Sequence, residues 1–239
     1  MKSIFILLCS LLSIGATAQT SAQISDPNVK ARSLNGSFSA ISVSNGIQLY
    51  LTAGTEETIA VSSSDAKYEE RFKTVVEEGV LKIYYDNKGL DWNVTGKRKL
   101  TAYVSFKTLK KITASGGADV IVPVPLNLDD FIMKFTSGTR FSGKIMAKEL
   151  EVIQNSGSEI EISGTAQKIN IEATSGAIFK GYDFAVDYCI AKATSGGAIH
   201  ISINKELDAK ANSGGAIRYK GEALIREVNV TSGGIVKRS

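Results

Sequence analysis

Side chains that carry chemistry are scarce in this chain. Its 239 residues include one histidine, two cysteines and one tryptophan, too few nitrogen and sulfur ligands for an ordinary zinc site. Three prolines stand against 22 glycines, a balance that suits uninterrupted strands joined by many tight turns. The 28 basic and 24 acidic residues are spread along the chain, without the basic patch that nucleic acid requires. Nucleic acid is therefore not an expected partner, and no cofactor is implied. After residue 14 no apolar run approaches the roughly 18 residues of a membrane helix.

The first residues are different. Lys2, an apolar run over 4–14 and Ala16-Thr17-Ala18 have the charge, length and small-residue ending of a secretory signal peptide, residues 1–18, cut after Ala18. Leu7 and Leu8 are too bulky for a lipid-attachment site at Cys9. Cleavage removes Lys2 and Cys9, lowering the formal net charge from +4 to +3 and leaving Cys189 as a single thiol. An exported chain with one cysteine holds no internal disulfide, so packing and hydrogen bonds must stabilise it. The alternation around Asp187-Tyr188-Cys189-Ile190 turns that thiol inward as a small apolar group. Residues 19–34 are polar and aperiodic, a flexible lead-in. Residues 35–239 can bury one core as a single domain, with an irregular part over 35–110 and regular repeats over 111–239.

What is abundant is a repeat. Ser-Gly steps recur at Ser115-Gly116, Ser137-Gly138, Ser156-Gly157, Ser175-Gly176, Ser195-Gly196, Ser213-Gly214 and Ser232-Gly233, with successive spacings of 22, 19, 19, 20, 18 and 19 residues. Between steps the chain alternates: Ile199, Ile201 and Ile203 share one face, His200 and Ser202 the other. About 19 residues span roughly 63 Å as strand, enough for a closed coil of short strands and too few for a strand–helix unit. The pattern predicts an all-β, right-handed parallel β-helix, a β-solenoid with rungs of about 19 residues stacked in parallel. Each Ser-Gly step is a corner at which glycine takes positive φ and hydroxyls bond neighbouring turn backbone. Neither a helix N-terminus nor a lysine follows these steps, so they are not phosphate loops. Seven equivalent serines cannot each have a dedicated base, so none is read as a nucleophile.

The first half repeats less clearly. Strands are expected at 38–43 and 47–51 around Asn45-Gly46, at 58–61, and at 100–106. A hairpin is expected about Glu77-Glu78-Gly79, and a short helix over 64–72 begins with cap residues. Among the acids, adjacent Asp129 and Asp130 cannot share a site on a strand, and Glu159 and Glu161 form an outer, solvated pair. His200 points outward without a dedicated acid or base. The run Tyr84-Tyr85-Asp86-Asn87-Lys88-Gly89-Leu90-Asp91-Trp92-Asn93 reads as a loop that combines aromatic faces with hydrogen-bonding groups, so Tyr85, Asp86, Asn87, Asp91 and Trp92 are candidate ligand contacts. The opposing reading has Trp92 covering an end of the solenoid.

The order of these features resembles the bacterial family called putative auto-transporter adhesin, head GIN domain. The matching stretches are Phe38-Ser39-Ala40-Ile41-Ser42-Val43-Ser44-Asn45-Gly46-Ile47-Gln48-Leu49, the hairpin Gly79-Val80-Leu81-Lys82-Ile83, Thr101-Ala102-Tyr103-Val104, and Leu109 to Val120 with its first Ser-Gly step. Gly46-Ile47-Gln48 departs by one residue from the family's Gly-Ile-Asn. The resemblance spans roughly residues 35–236 and implies an exported β-helical protein of the cell envelope or surface, common among Bacteroidetes-type bacteria, in the periplasm, on the outer membrane or secreted. It carries over no catalytic residue. The expected role is non-catalytic surface contact, as an adhesin, with an extracellular glycan or a surface protein as partner. Two alternatives stay open: a carbohydrate-active β-helix enzyme, lyase or hydrolase, and a self-assembling envelope scaffold.

Overall fold

Residues 28–87 and 98–239 are described by the computed structural model. Parallel strands stack as a β-solenoid of about seven turns. Its regular part comprises β9 (Asp119–Phe135), β10 (Arg140–Gln154), β11 (Glu159–Thr174), β12 (Ile178–Thr194), β13 (Ala198–Ala211), β14 (Ala216–Lys220), β15 (Leu224–Val230) and β16 (Ile235–Arg238). Each pairs in parallel with the equivalent segment one rung away. Alternation then sorts the side chains, since every second residue faces inward. One inward row runs Leu49, Val120, Phe141, Ile160, Phe179, Ile199 and Ile217 on successive rungs, all buried. A second runs Ile112, Met133, Val152, Ile171, Ala191 and Ala209. Cys189 is buried beside this second row, where burial pushes its thiol far above the ordinary range and leaves it inert.

The corners align along one edge, and they are tighter than the sequence reading allows. Both turn residues, serine as well as glycine, have positive φ: 60° and 70° at Ser137-Gly138, 52° and 70° at Ser156-Gly157, 48° and 75° at Ser195-Gly196. A two-residue turn with both φ positive has the geometry of a type I′ turn, which forces the serine left-handed too. At the first step the pair is Gly116-Gly117 (57° and 75°) rather than Ser115-Gly116, so Ser115 precedes the turn. Asn45-Gly46 supplies one corner more. The peptides of successive corners bond to one another: Gly117 N–H donates to Ser137 O at 3.0 Å, Gly138 to Ser156 at 3.0 Å, Gly157 to Ser175 at 3.1 Å, and the file continues to Gly214 and Ser232. Before each of the six left-handed serines stands a threonine or asparagine, and two pairs of these side chains bond to each other rather than to the turn backbone: Thr136 Oγ1 to Asn155 Oδ1, and Thr194 Oγ1 to Thr174 Oγ1 at 3.0 Å.

In the first half, chain order and stacking order differ. β2 (Ala40–Val43) and β3 (Gln48–Ala53) form a rung that lies between β6 (Val80–Tyr85) and β7 (Leu100–Phe106) on one side and β8 (Lys111–Ala114) and β9 on the other. Beyond β6 and β7 the pairing turns antiparallel, with β5 (Phe72–Glu77) on β6 and β4 (Thr58–Ser63) on β7. The hairpin about Glu78-Gly79 forms as expected, with φ of 51° and 72°.

Two expectations fail here. Where a helix over 64–72 is expected, Phe72 already opens β5 and only a 3-10 turn, Ala66–Tyr68, forms, capped by Asp65, whose carboxylate accepts from Lys67 N at 3.0 Å. None of its residues is buried, and a short helix without a packed face is not stable in water. Within the expected flexible lead-in, Lys30–Arg32 form β1 on the edge of β4. Lys30 pairs with Glu69 at 2.7 Å, and Arg32 donates to Phe72 O with its guanidinium 5.5 Å from the Phe72 ring. An exposed strand edge takes up the polar segment next to it. No described helix is long and apolar enough to cross a membrane.

Candidate functional site

The outer face of the sheet that follows the corners carries the side chains left over from the core rows. Tyr50 and Tyr103 are in register on β3 and β7, their rings stacked at 5.2 Å and 14°. The same outward row continues through Ile121, Ser142, Glu161, Lys180, His200, Arg218 and Lys237. A parallel row two residues earlier holds Gln48, Asp119, Arg140 and Glu159. Between them lies a groove of about 220 Å³, walled by Asp119, Arg140, Glu159 and Glu161 and floored by Ile121 and Ser142. Three carboxylates and one guanidinium thus line the groove, whose first strand, β9, adjoins Tyr50 on β3. Each stacked tyrosine covers one face of the other, and Tyr50 is the member on the groove side, in register with Ile121.

Beyond the groove the same face turns basic. Lys180 bonds to Glu159 across the rungs. The His200 ring stacks on Tyr182 at 5.1 Å and 9°, and the Lys220 ammonium lies 4.4 Å from the Tyr182 centroid. Burial, then the positive charges of Arg218 and Lys180, hold the His200 imidazole below its ordinary range. An NMR pH titration of this single histidine should therefore show a midpoint below about 6.5, the unperturbed value. Arg218→Gln should move the midpoint upward. The sign for stability follows: with a lowered folded-state value the unfolded chain takes up the proton first, so His200 opposes folding as pH falls below about 6.5.

Of the residues singled out from the sequence, Tyr85, Asp86 and Asn87 are among the described residues. Tyr85 is 4% exposed and belongs to the core. Its ring meets Tyr68 edge-on at 6.2 Å and lies 3.8 Å from the Arg98 guanidinium, so it offers no face to a ligand. The outermost ring of that strand is instead Tyr84. Asp86 is tied by its backbone, its N–H donating to Arg71 O at 2.8 Å and its carbonyl accepting from Arg71 at 3.2 Å. Asn87 is exposed. Asp91 and Trp92 lie outside the described residues. Asp129 pairs with Lys148 at 2.6 Å rather than with local backbone. Among the described residues no three His, Cys, Asp or Glu side chains are placed to hold a metal ion.

Tyr50 and Tyr103 escaped the sequence reading, although a signal was present. In Gln48-Leu49-Tyr50-Leu51 and Thr101-Ala102-Tyr103-Val104 each tyrosine takes the polar phase of its strand. A large ring on the outer phase twice is unusual economy for a purely structural strand.

Fourteen chains of known structure match this one. A protein from Bacteroides fragilis described as a putative adhesin is 18% identical with a TM-score of 0.79, over 88% of this chain and 96% of that one. A second so described, from Parabacteroides merdae, is 19% identical with a TM-score of 0.66, over 90% and 97%. A third, from Parabacteroides distasonis, is described as a putative lipid binding protein; it is 21% identical with a TM-score of 0.59, over 89% and 97%. At these identities the likeness is one of fold. No curated protein matches. The family model that matches, over residues 37–223, is described as putative auto-transporter adhesin, head GIN domain.

Proposed function

This chain belongs to the putative auto-transporter adhesin, head GIN domain family, and from that premise we propose that it is an exported, non-catalytic contact protein that binds an extracellular glycan along the outer face of its solenoid. The observation that supports this reading is the groove between Asp119, Arg140, Glu159 and Glu161 beside the Tyr50–Tyr103 pair. Carboxylates and a guanidinium set at rung spacing bond the paired hydroxyls of a sugar, and the Tyr50 ring at the end of the groove takes an apolar patch. A long flat face lets many such weak contacts add, as adhesion requires.

Glycan-array binding tests the reading. Arg140→Ala and the double change Tyr50→Ala, Tyr103→Ala should each weaken binding by roughly tenfold or more, the loss of a charged hydrogen bond or of aromatic contact area. Unchanged binding in both would refute it. Turnover of the same glycans in a lyase and hydrolase screen would replace it with the carbohydrate-active enzyme.

A further inference from the structure

The two ends of the solenoid differ. At the first, β4 and β5 lie antiparallel across β7 and β6, and β1 lies on β4. At the last, among the described residues, β15 pairs only with β13 and β16 only with β14. The inward rows run out there into solvent. Ile225, Val228 and Val230 stand in register with Leu207, Ala209 and Ala211. Those three are at most 1% exposed on β13, whereas on β15 their successors are 39%, 46% and 44% exposed. The backbone is equally unfinished. Thr231 N–H donates back to Ala211 O at 3.0 Å, so by strand alternation the amides of Val228 and Val230 point to the bare side.

We propose that this end is an interface between two copies of this chain, joined tail to tail by antiparallel pairing of β15 with β15 about a two-fold axis. A bare strand edge takes another strand, and rows of aliphatic side chains that stop in mid-core need an apolar cover of the same outline. The described residues offer that outline once, because strands β1, β4 and β5 cover the other end. Stacking head to tail is thereby blocked, and association closes at two copies. The charges agree. The register of β15 against β13 skips Arg226, a bulge that puts Arg226 and Glu227 on the same outward face, so antiparallel pairing of β15 with β15 sets Arg226 of each copy opposite Glu227 of the other, an opposite-charge contact made twice. In the existing structure both are engaged only in exposed pairs, with Glu206 at 3.3 Å and Lys210 at 3.5 Å. On β16, Lys237 and Arg238 are like charges at the end of the strand, which leaves β15 as the strand that pairs.

Sedimentation equilibrium on the chain tests this. The expected species is a dimer that dissociates on dilution and grows no further. Arg226→Glu and Glu227→Arg, each alone, should weaken association by roughly tenfold, and the double reversal should restore it. Val228→Lys with Val230→Lys should abolish it while far-UV circular dichroism keeps the strand signal, since both positions are already exposed. A monomer at every concentration would assign this end to another occupant and overturn the proposal. So would filaments, single reversals without effect, or a dimer that survives both lysines. Glycan binding by a monomer would leave the contact reading intact, so the two claims fail separately.

Discussion

Gly164→Ala is expected to lower the thermal midpoint by roughly 8–16 °C, the equivalent of about 4 kcal/mol in a chain of this size. Gly164 sits within β11 at φ +114°, outside the regions L-residues occupy at little cost. A methyl group there would stand 2.0 Å from Ile145 O and 2.9 Å from its carbonyl carbon. The obstacle is backbone of the paired rung, held in its own ladder, so it cannot swing away as a side-chain tip does. The same demand recurs two rungs after β12, at Gly221 (φ +101°), whose added Cβ would lie 2.1 Å from Ile203 O. Gly157→Ala is the matched control. Its φ is +70° and nothing lies within 4 Å of an added Cβ, so only the left-handed backbone cost of about 1–2 kcal/mol remains. Thermal unfolding followed by circular dichroism separates the two. Equal losses at Gly164 and Gly157 would mean that rung-to-rung approach is not what Gly164 serves.

Phe179→Ala carries the second large effect, about 3–5 kcal/mol. Phe179 is fully buried in the inward row between Ile160 and Ile199. A cavity there cannot close, because the rungs on both sides are fixed by continuous parallel pairing. Val236 ends the same row and is only partly buried. Val236→Ala should therefore cost less than about 1 kcal/mol. Chemical denaturation gives both numbers. A stacked array places stability in nearest-neighbour contacts, and the contrast between an interior and a terminal member of one row measures that. Similar losses at the two positions would count against a core built rung by rung.

The regular half was legible because two signals reinforce each other there. The 19-residue return of Ser-Gly fixes where the chain turns, and the Ile199/Ile201/Ile203 alternation fixes what faces in. The first half was harder for a physical reason: β2–β3 is stacked between segments that follow it in the chain, and no periodicity encodes an out-of-order insertion. Lys30–Arg32 is polar and gains its strand from an edge supplied by residues 58–63, a tertiary effect invisible in local sequence. The helix expected at 64–72 had its cap but no buried face to repay ordering. The outer groove was half legible. Glu159 and Glu161 were read correctly as an outward pair. That Asp119, Arg140 and the two tyrosines stand beside them depends on register between rungs, which spacing of 18 to 22 residues leaves open by several positions. Tyr85 was misread because it ends a strand whose alternation, Leu81, Ile83, Tyr85, continues inward.

The file of corner peptides also has an electrical consequence. Each Ser–Gly peptide accepts through its carbonyl from the corner before and donates through its amide to the corner after, so all the bond dipoles along that edge point one way and reinforce one another. The edge is a linear electret, as a helix is, but assembled from residues about 19 apart. Among the described residues its negative pole falls at the Asn45 carbonyl, and there the structure supplies a cation: the Arg98 guanidinium donates to Asn45 O at 3.3 Å. Its positive pole falls at the amide of Gly233, in the last rung, adding a backbone source of affinity for negative charge to an extremity that also carries Lys237 and Arg238.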